Sequence, residues 1–297
     1  MPGLSPAYTS RFAPSPSGPL HFGSLIAALG SYLQAKSQQG RWLVRMEDID
    51  TPRMVPGADS DILRTLEQFG LHWDGEVLYQ SQRLERYQQI FAHLQQLKLL
   101  YGCACNRKRV NELGGIYDNH CATLNKQSGN LAWRLRSQGV KTGFADLVFG
   151  QQSIPAALAN EDYIIKRRDG LFAYQLVVVV DDIDQAITEV IRGADLLEMT
   201  PRQQALCNLL GARPPAYGHL PLAVTAPGFK LSKQNHAAAV SEWHVTETLH
   251  QALRFLGQQP PPELYRVTVD ELLSWAIAHW NLTKVPTQLE INSTEFQ

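Results

Sequence analysis

Two short segments near opposite ends of the sequence carry residues suited to binding phosphate. The first, His21-Phe22-Gly23-Ser24, joins a proline-rich stretch to an amphipathic helix. Free backbone N–H groups and the helix dipole favour an anion at such a helix N-terminus. Gly23 would let a flat nucleotide ring approach the backbone, and His21 can donate a hydrogen bond to a phosphate. Alone, this tetrapeptide indicates no more than a capped helix with an incidental histidine.

The second segment is Lys230-Leu231-Ser232-Lys233-Gln234, which directly follows Gly228-Phe229. It combines two lysines and a hydroxyl in a loop with a glycine hinge. Such a loop can close over a polyphosphate and neutralise charge that develops in a transition state. By itself it is typical of a surface turn. The two segments together, with Lys230 209 positions after His21, are far more specific than either one.

The elements around these segments predict an α/β protein. A strand over residues 8–13, a helix with Leu25, Ile26, Leu29 and Leu33 on one face, and a strand at Arg41–Met46 form a strand–loop–helix–strand unit. Such a unit begins a doubly wound parallel sheet. The apolar run Leu171–Val180 predicts a strand of the returning sheet, and Thr200-Pro201 predicts a helix start with a capping hydroxyl. Further helices are expected over residues 58–69, 82–100, 245–256 and 269–280.

Composition indicates a soluble globular protein, with 44% hydrophobic and 19% charged residues and a formal net charge of -1. This charge gives no global signal for nucleic acid and does not exclude a local basic groove. The N-terminus lacks a signal-peptide pattern, and no apolar run of about 18 residues predicts a membrane span. Four cysteines in 297 residues do not make a disulfide scaffold. We therefore expect a cytoplasmic protein with no membrane partner.

The sequence resembles the class I glutamyl-tRNA and glutaminyl-tRNA synthetases. The stretch from Arg11 to Gly18, followed by His21 to Ser24, is similar to their opening, and the two phosphate segments match the signatures written HIGH and KMSKS. Leu231 and Gln234 depart from the second signature, but both lysines are kept. Whether Gln234 alters the closure of the loop is a question that the sequence does not answer. The other similar stretches, within residues 11–236, are Arg45–Asp50, Tyr174, Val179–Asp182, Ile191–Asp195 and Thr200–Gln203.

The resemblance implies a Rossmann-type catalytic domain that activates an amino acid with ATP. A carboxylate would attack the α-phosphate in line and expel pyrophosphate, which requires positioning and charge neutralisation but no general base. It implies catalytic roles for His21, Ser24, Lys230 and Lys233. ATP, with Mg²⁺, would contact His21, Gly23, Lys230, Ser232 and Lys233. No acidic motif is clearly dedicated to Mg²⁺, and Asp181-Asp182 is equally well explained as structural.

A glutamate pocket must hold two carboxylates and one ammonium group. Arginine offers a bidentate fork to a carboxylate, and an acidic side chain suits the ammonium. By similarity, Arg11 would bind the side-chain carboxylate and Glu47 the α-amino group, with Tyr174 completing the pocket. Arg192 would also contact glutamate, and which carboxylate it faces stays open. The resemblance adds four residues to the glutamate contacts: Phe12, Ala13, Pro14 and Ser15.

Cys103, Cys105 and Cys121 offer three soft metal ligands within 19 residues. Structural zinc takes four ligands, usually led by thiolates, so a fourth is needed. His120 is the chemical first guess, although it directly neighbours Cys121. The resemblance points instead to Tyr117, and it implies one structural zinc ion per chain. Buried thiols without a metal are the alternative.

Only 63 residues follow Gln234, which leads us to expect no anticodon-binding domain. This favours the truncated group of the family, the glutamyl-Q tRNA(Asp) synthetases. That resemblance implies transfer of L-glutamate to queuosine in the anticodon stem-loop of tRNA(Asp), by a monomer. The alternatives are a short synthetase that charges a tRNA 3′ end and a non-catalytic RNA-binding relative. The expected regions are 1–100 and 161–240 for the two catalytic halves, 101–160 for the inserted module and 241–297 for a helical end.

Overall fold

The computed structural model of the protein describes residues 7–124, 126, 128–137, 139–231 and 238–296. Ser232, Lys233 and Gln234 of the second phosphate segment lie outside these residues. The α-helices are α1 (Phe22–Ser37), α2 (Ala58–Gln68), α3 (Leu84–Gln96), α4 (Arg107–Glu112), α5 (Ala156–Ala159), α6 (Tyr174–Asp184), α7 (Thr200–Leu209), α8 (Val245–Phe255) and α9 (Val269–His279). The strands are β1 (Thr9–Phe12), β2 (Arg41–Met46), β3 (Leu78–Tyr79), β4 (Leu100–Cys103), β5 (Ala132–Leu135), β6 (Gly143–Asp146), β7 (Gly150–Ser153), β8 (Tyr163–Lys166), β9 (Glu189–Gly193), β10 (Ala216–Leu220), β11 (Leu222–Ala226), β12 (Phe229–Lys230) and β13 (Glu290–Asn292).

Two groups of parallel strands form the α/β part of the fold. The first has the order β1-β2-β3, and in the second β9, β10 and β6 run parallel while β7 pairs antiparallel with β6. The groups adjoin where the Thr188 N–H, just before β9, donates to the Thr9 carbonyl oxygen at 2.9 Å. The α/β fold with a parallel sheet is therefore confirmed. Ligands of such sheets bind at the carboxyl ends of the strands.

Helix α1 is the central packing element of the first group. Phe22, Leu25, Ile26, Leu29 and Leu33 are all at most 1% exposed. Burial of these side chains along one continuous stripe explains why the segment is helical. The C-terminal helices continue the same core, since Leu249, Leu253 and Leu272 belong to it.

The prediction for the apolar run Leu171–Val180 was wrong. Only Phe172 makes a bridge, to Lys166, and helix α6 then begins at Tyr174. A short run of valines does not distinguish a buried strand from a buried helix, because both bury every residue. Leu176 to Val180 are at most 4% exposed and pack with the aromatic side chains of α3.

The predicted cap at Thr200 was also wrong. The helix starts there, but Met199 is the N-cap residue and has no side-chain capping bond. The Thr200 hydroxyl oxygen instead accepts a hydrogen bond from Arg192 at 2.9 Å. A residue that read as a local helix signal therefore contacts a distant pocket residue.

An antiparallel sheet of β4, β5 and β8 carries the cysteine segment. Cys103 ends β4, and the following residues include α4 and the short turn His120–Thr123. The C-terminal helices contact α1 through the Trp280 indole N–H, which donates to the Gln34 side chain at 2.7 Å. None of the helices among the described residues combines the length and apolar character needed to span a membrane.

Candidate active site and metal centre

One cavity of about 630 Å³ brings together the predicted phosphate and glutamate contacts whose side chains are described. It lies where β1, β2, β9 and β10 end, as expected for a parallel sheet. Lys230 ends β12, while Ser232 and Lys233 lie outside the described residues. The predicted residues that line the cavity are Arg11, Phe12, Ala13, Pro14, Ser15, His21, Gly23, Ser24, Glu47, Tyr174 and Arg192.

The first phosphate segment forms the N-terminus of α1. His21 is the N-cap residue, and its Nδ1 accepts the Ser24 backbone N–H at 3.2 Å. A neutral ring that accepts at Nδ1 carries its hydrogen on Nε2, which suits donation to a phosphate. A side chain at Gly23 would place its Cβ 3.2 Å from the His21 ring atoms Cε1 and Nδ1. Glycine therefore leaves room for the histidine to cap the helix.

Arg11, on β1, is held by an aspartate from α6. Its Nε lies 3.1 Å and its Nη2 3.4 Å from the two carboxylate oxygens of Asp182. Arg45 of β2 also donates to Asp182 through Nη2 and is fully buried. Burial acts to raise the pKa of Asp182, but the two guanidinium groups hold it below its usual range. One carboxylate thus fixes two arginines from neighbouring strands.

Glu47 follows β2, and its backbone N–H donates to the Pro14 carbonyl oxygen at 2.9 Å. This bond ties the proline-rich loop to the strand end. Glu47 is 8% exposed as a residue, and within the described residues its buried Oε1 has no hydrogen-bond partner. Burial raises the pKa of Glu47 to about 7, although Arg45 and Arg11 oppose the shift. A buried carboxylate with an unused oxygen is suited to an ammonium group.

Arg192, on β9, has neutral partners instead. Its Nε donates to His219 Nε2 at 3.0 Å and its Nη1 to Gln203 Oε1 at 2.6 Å. Its Nη2 donates to the Leu196 carbonyl oxygen at 3.0 Å and to Thr200 Oγ1 at 2.9 Å. None of these acceptors carries a negative charge, so the positive charge of Arg192 is available to a ligand.

The charges of the site suit a dicarboxylic amino acid. Four arginines supply positive charge, namely Arg11, Arg45, Arg53 and Arg192, and three acids supply negative charge, namely Asp182, Asp195 and ionised Glu47. The surplus of one positive charge balances the single net negative charge of glutamate at neutral pH. Tyr174, the first residue of α6, also lines the cavity.

The cysteine cluster brings together the four side chains predicted to bind metal. The sulfur atoms of Cys103, Cys105 and Cys121 lie within 4.8 Å of one another. The Tyr117 hydroxyl lies 3.6 Å from Cys103 Sγ and 4.0 Å from Cys105 Sγ. His120 is exposed, whereas Tyr117 is buried. The donor set fits a thiolate-rich metal site with Tyr117 as the fourth member.

An arginine packs against this cluster. Arg134 Nε donates to Cys103 Sγ at 3.3 Å, and its guanidinium carbon lies 3.6 Å from the Tyr117 ring centre. The Tyr117 hydroxyl also accepts the Cys121 backbone N–H at 2.7 Å. Burial acts to raise the pKa of Cys121, but hydrogen bonds led by that of Tyr117 lower it to about 7. A thiolate is the form of cysteine that binds metal.

Several residues that hold the cavity's arginines from behind were not predicted as site residues from sequence. Arg45, Asp182 and Gln203 fall within the stretches that carry the resemblance, so those motifs were the available signal. Asp146 and His219, which support Arg192, gave no local signal. A second cavity, of about 730 Å³, lies by α8 and the chain end near His250, Arg254 and Phe296. It contains none of the predicted site residues.

Comparisons with known proteins show the family of this chain. Residues 8–261 match the family described as tRNA synthetases class I (E and Q), catalytic domain. The glutamyl-Q tRNA(Asp) synthetase of Vibrio vulnificus strain YJ016 is 55% identical over 289 residues, which cover 97% of this chain and 95% of that protein. The protein of the same name from Salmonella typhimurium strain LT2 is 56% identical over 285 residues, or 96% of each chain.

A solved structure shows the same fold. The glutamate-tRNA synthetase of Elizabethkingia anophelis superposes with a TM-score of 0.79 at 23% identity. The match covers 98% of this chain and 69% of that one. At this identity the likeness concerns the fold alone.

Proposed function

This chain belongs to the class I tRNA synthetase (E and Q) family and, within it, to the glutamyl-Q tRNA(Asp) synthetases; on that premise we propose that it activates L-glutamate with ATP and transfers it to queuosine in tRNA(Asp). One observation supports the activation chemistry above all: Arg11, Glu47 and Arg192 line the same cavity as the N-terminus of α1. The acceptor rests on the names of the similar proteins.

In the first step, a glutamate carboxylate attacks the α-phosphorus of ATP. The new C–O–P linkage is glutamyl-adenylate, and pyrophosphate leaves. His21 would donate a hydrogen bond to a phosphate from the start of α1, with Gly23 and Ser24 beside it. Lys230 and Lys233 would neutralise the departing charge, and the Ser232 hydroxyl would donate a hydrogen bond to it. Magnesium would enter with the ATP phosphates.

Glutamate would lie with its ammonium group at Glu47 and a carboxylate at each arginine. We assign the side-chain carboxylate to Arg11 and the α-carboxylate to Arg192, with Tyr174 between them. Phe12, Ala13, Pro14 and Ser15 would line the same end of the cavity. Arg11 keeps N–H groups on Nη1 and Nη2 beyond those that bond Asp182, so it favours the side chain of glutamate over that of glutamine, whose neutral amide cannot accept two parallel N–H bonds.

In the second step, a hydroxyl of the queuosine diol attacks the activated carbonyl, and AMP leaves. An unmodified guanine at that position has no such diol. The anticodon stem-loop would therefore approach the side of the catalytic domain that holds the adenylate. We propose that the protein acts as a cytoplasmic monomer.

We also propose that Cys103, Cys105, Tyr117 and Cys121 hold one structural zinc ion. When bound, the ion would cross-link β4 to the turn at Cys121 and so fix the inserted module. Residues 101–160 would form that module between the catalytic halves 1–100 and 161–240, with 241–297 as a helical end. Metal analysis of purified protein tests this, with Cys103→Ser as the control. We expect about one zinc per chain, and a folded protein without zinc would contradict it.

Glutamate-dependent exchange of labelled pyrophosphate into ATP tests the activation step. We expect exchange with glutamate and none above background with glutamine or aspartate. No exchange with any amino acid would favour the non-catalytic RNA-binding alternative. Exchange followed by labelling of a tRNA 3′ end would favour the short charging enzyme.

A further inference from the structure

A buried histidine stands behind Arg192 and was not among the predicted site residues. His219, near the end of β10, is 0% exposed. Its Nδ1 lies 2.6 Å from Asp146 Oδ2, and its Nε2 lies 3.0 Å from Arg192 Nε. Asp146, His219 and Arg192 come from the adjacent parallel strands β6, β10 and β9. The three side chains therefore form a line that ends at the amino-acid cavity.

Asp146 determines where His219 carries its hydrogen. Its Oδ1 accepts the backbone N–H groups of Val148 and Phe149, each at 2.9 Å. Burial acts to raise the pKa of Asp146, but the His219 hydrogen bond and these backbone bonds hold it below its usual range. An ionised carboxylate only accepts, so the hydrogen of His219 lies on Nδ1 and Nε2 keeps its lone pair. That lone pair is what Arg192 Nε requires.

The neutral histidine also preserves the charge of Arg192. Burial lowers the pKa of His219, so the ring is uncharged at neutral pH. An aspartate in direct contact with Arg192 would cancel much of its charge, as Asp182 does for Arg11. Here the acid is one ring away, and the guanidinium meets neutral acceptors.

The hydrogen-bond partners of Arg192 also leave one of its N–H groups for a ligand. Within the described residues, four of the five N–H groups of Arg192 have protein acceptors. The Tyr217 ring lies against the guanidinium, with its centre 4.9 Å from the guanidinium carbon. The fifth N–H, on Nη1, is the donor that this arrangement leaves for the cavity.

We propose that His219 is a positioning residue for amino-acid recognition, which aims Arg192 at the cavity, and that Asp146 sets the tautomer that makes this possible. The inference deepens the proposed function, because it rests on Arg192 binding a glutamate carboxylate. It assigns His219 no contact with substrate.

Asp146→Asn is the sharpest test because it changes one atom. The new amide keeps an oxygen for the backbone N–H groups and offers an N–H to His219 Nδ1. The histidine hydrogen would then move to Nε2 and oppose the Arg192 N–H. We expect the KM for glutamate to rise at least about tenfold, since a bond to a charged group is lost. The KM for ATP should stay within about twofold, because ATP does not use this end of the cavity.

Two variants of the histidine separate positioning from general structure. His219→Gln keeps an acceptor at the position of Nε2, so it should retain a KM for glutamate within about tenfold of wild type. His219→Phe keeps the ring but loses both nitrogens, and should raise that KM by at least about a hundredfold. His250→Gln, at a buried histidine near the other cavity, is the matched control and should leave the KM unchanged.

Nitrogen-15 NMR of histidine-labelled protein reads the tautomer without relying on activity. We expect the signal of a neutral Nδ1-protonated ring for wild type and of an Nε2-protonated ring for D146N. A wild-type His219 protonated on Nε2, or an unchanged glutamate KM in both D146N and H219F, would overturn the inference. A wild type without glutamate-dependent exchange refutes the proposed function instead, and the NMR result still decides the tautomer.

Discussion

The amino-acid cavity and the cysteine cluster each gather reactive side chains in a small volume, yet they balance charge in different ways. In the cavity, Asp182 pairs with two arginines and His219 holds the third. In the cluster, three sulfur atoms lie within 4.8 Å of one another, with the Tyr117 hydroxyl among them. The side chains of the cavity are therefore paired with one another before a ligand arrives, whereas we propose that a cation completes the sulfur-rich cluster. Substitutions in the cavity should therefore change stability and glutamate kinetics, and substitutions in the cluster should change zinc affinity.

The largest effect is expected on the free energy of unfolding, when the buried aspartate that pairs with Arg11 and Arg45 is substituted. Asp182→Asn removes the charge that compensates Arg11 and Arg45, so the free energy of unfolding should fall by about 3–5 kcal/mol. Denaturant unfolding measures this. Asp184→Asn is the matched control, since Asp184 also pairs with two arginines, Arg83 and Arg86, but nearer the surface, and it should cost at most about 1 kcal/mol. An equal loss of unfolding free energy in the two variants would show that Asp182 contributes no more to stability than a surface ion pair.

The next effect concerns catalysis without loss of the fold. Arg192→Ala should lower kcat/KM for glutamate by at least about a hundredfold, because a charge-assisted carboxylate contact is lost. Zinc content should not change. Arg64→Ala, at an exposed arginine on α2, controls for loss of a positive charge. Pyrophosphate exchange over a range of glutamate concentrations provides the measurement, and a wild-type rate in R192A would contradict the assignment.

The cluster predicts the reverse pattern. Tyr117→Phe should weaken zinc binding at least about tenfold, since even indirect partners of a metal contribute that much. His120→Ala should keep zinc, because His120 is exposed. Both variants should retain glutamate-dependent exchange. Competition with a chromophoric chelator reads the affinity, and zinc loss in H120A but not in Y117F would reverse the ligand assignment.

A pH dependence provides the last comparison, because glutamate binding and protein stability should change in opposite directions. Burial raises the pKa of Glu47 to about 7 in the folded protein, against about 4.3 when unfolded. An acid with a raised pKa stabilises the fold at low pH, and this contribution is lost as pH rises from about 4.3 to about 7. Glutamate binding should move the other way, weakening up to about tenfold per pH unit below 7, because protonated Glu47 cannot pair with an ammonium group.

Calorimetric titration of glutamate between pH 5.5 and 8 checks the binding arm, within the interval from about 4.3 to 8 in which glutamate keeps its own charges. Thermal unfolding over the same interval checks the stability arm. Glu47→Gln should flatten both curves. A glutamate affinity that is independent of pH in wild type would exclude Glu47 as the partner of the α-amino group.

Local sequence patterns predicted the elements of the first half of the chain better than those of the second half. Arg41–Met46 was predicted with the observed bounds, because a buried strand directly after a helix leaves few alternatives. Leu171–Val180 was misread, since a valine-rich run buried on every side has no period that separates strand from helix. That error matters for the site, because α6 supplies both Tyr174 and Asp182.

Site residues that lie in recognisable sequence motifs were predicted, whereas residues that only the tertiary structure brings together were missed. Arg11, Glu47 and Arg192 lie in motifs that resemble the family, and they line one cavity. Asp146 and His219 are 73 positions apart and meet only because β6 and β10 are neighbours. No local pattern connects an aspartate on one strand to a histidine on another. Partners that fix an active-site arginine are therefore the part that needs the tertiary structure.

The most direct test of the account follows the labelled amino acid to its acceptor. The protein is incubated with radiolabelled glutamate, ATP and tRNA(Asp) that carries or lacks queuosine, and the RNA is then cut into fragments. We expect label on the anticodon fragment of the queuosine-bearing tRNA and none above background on the unmodified RNA. Label on the 3′-terminal adenosine, or equal labelling of both RNAs, would contradict the proposed acceptor.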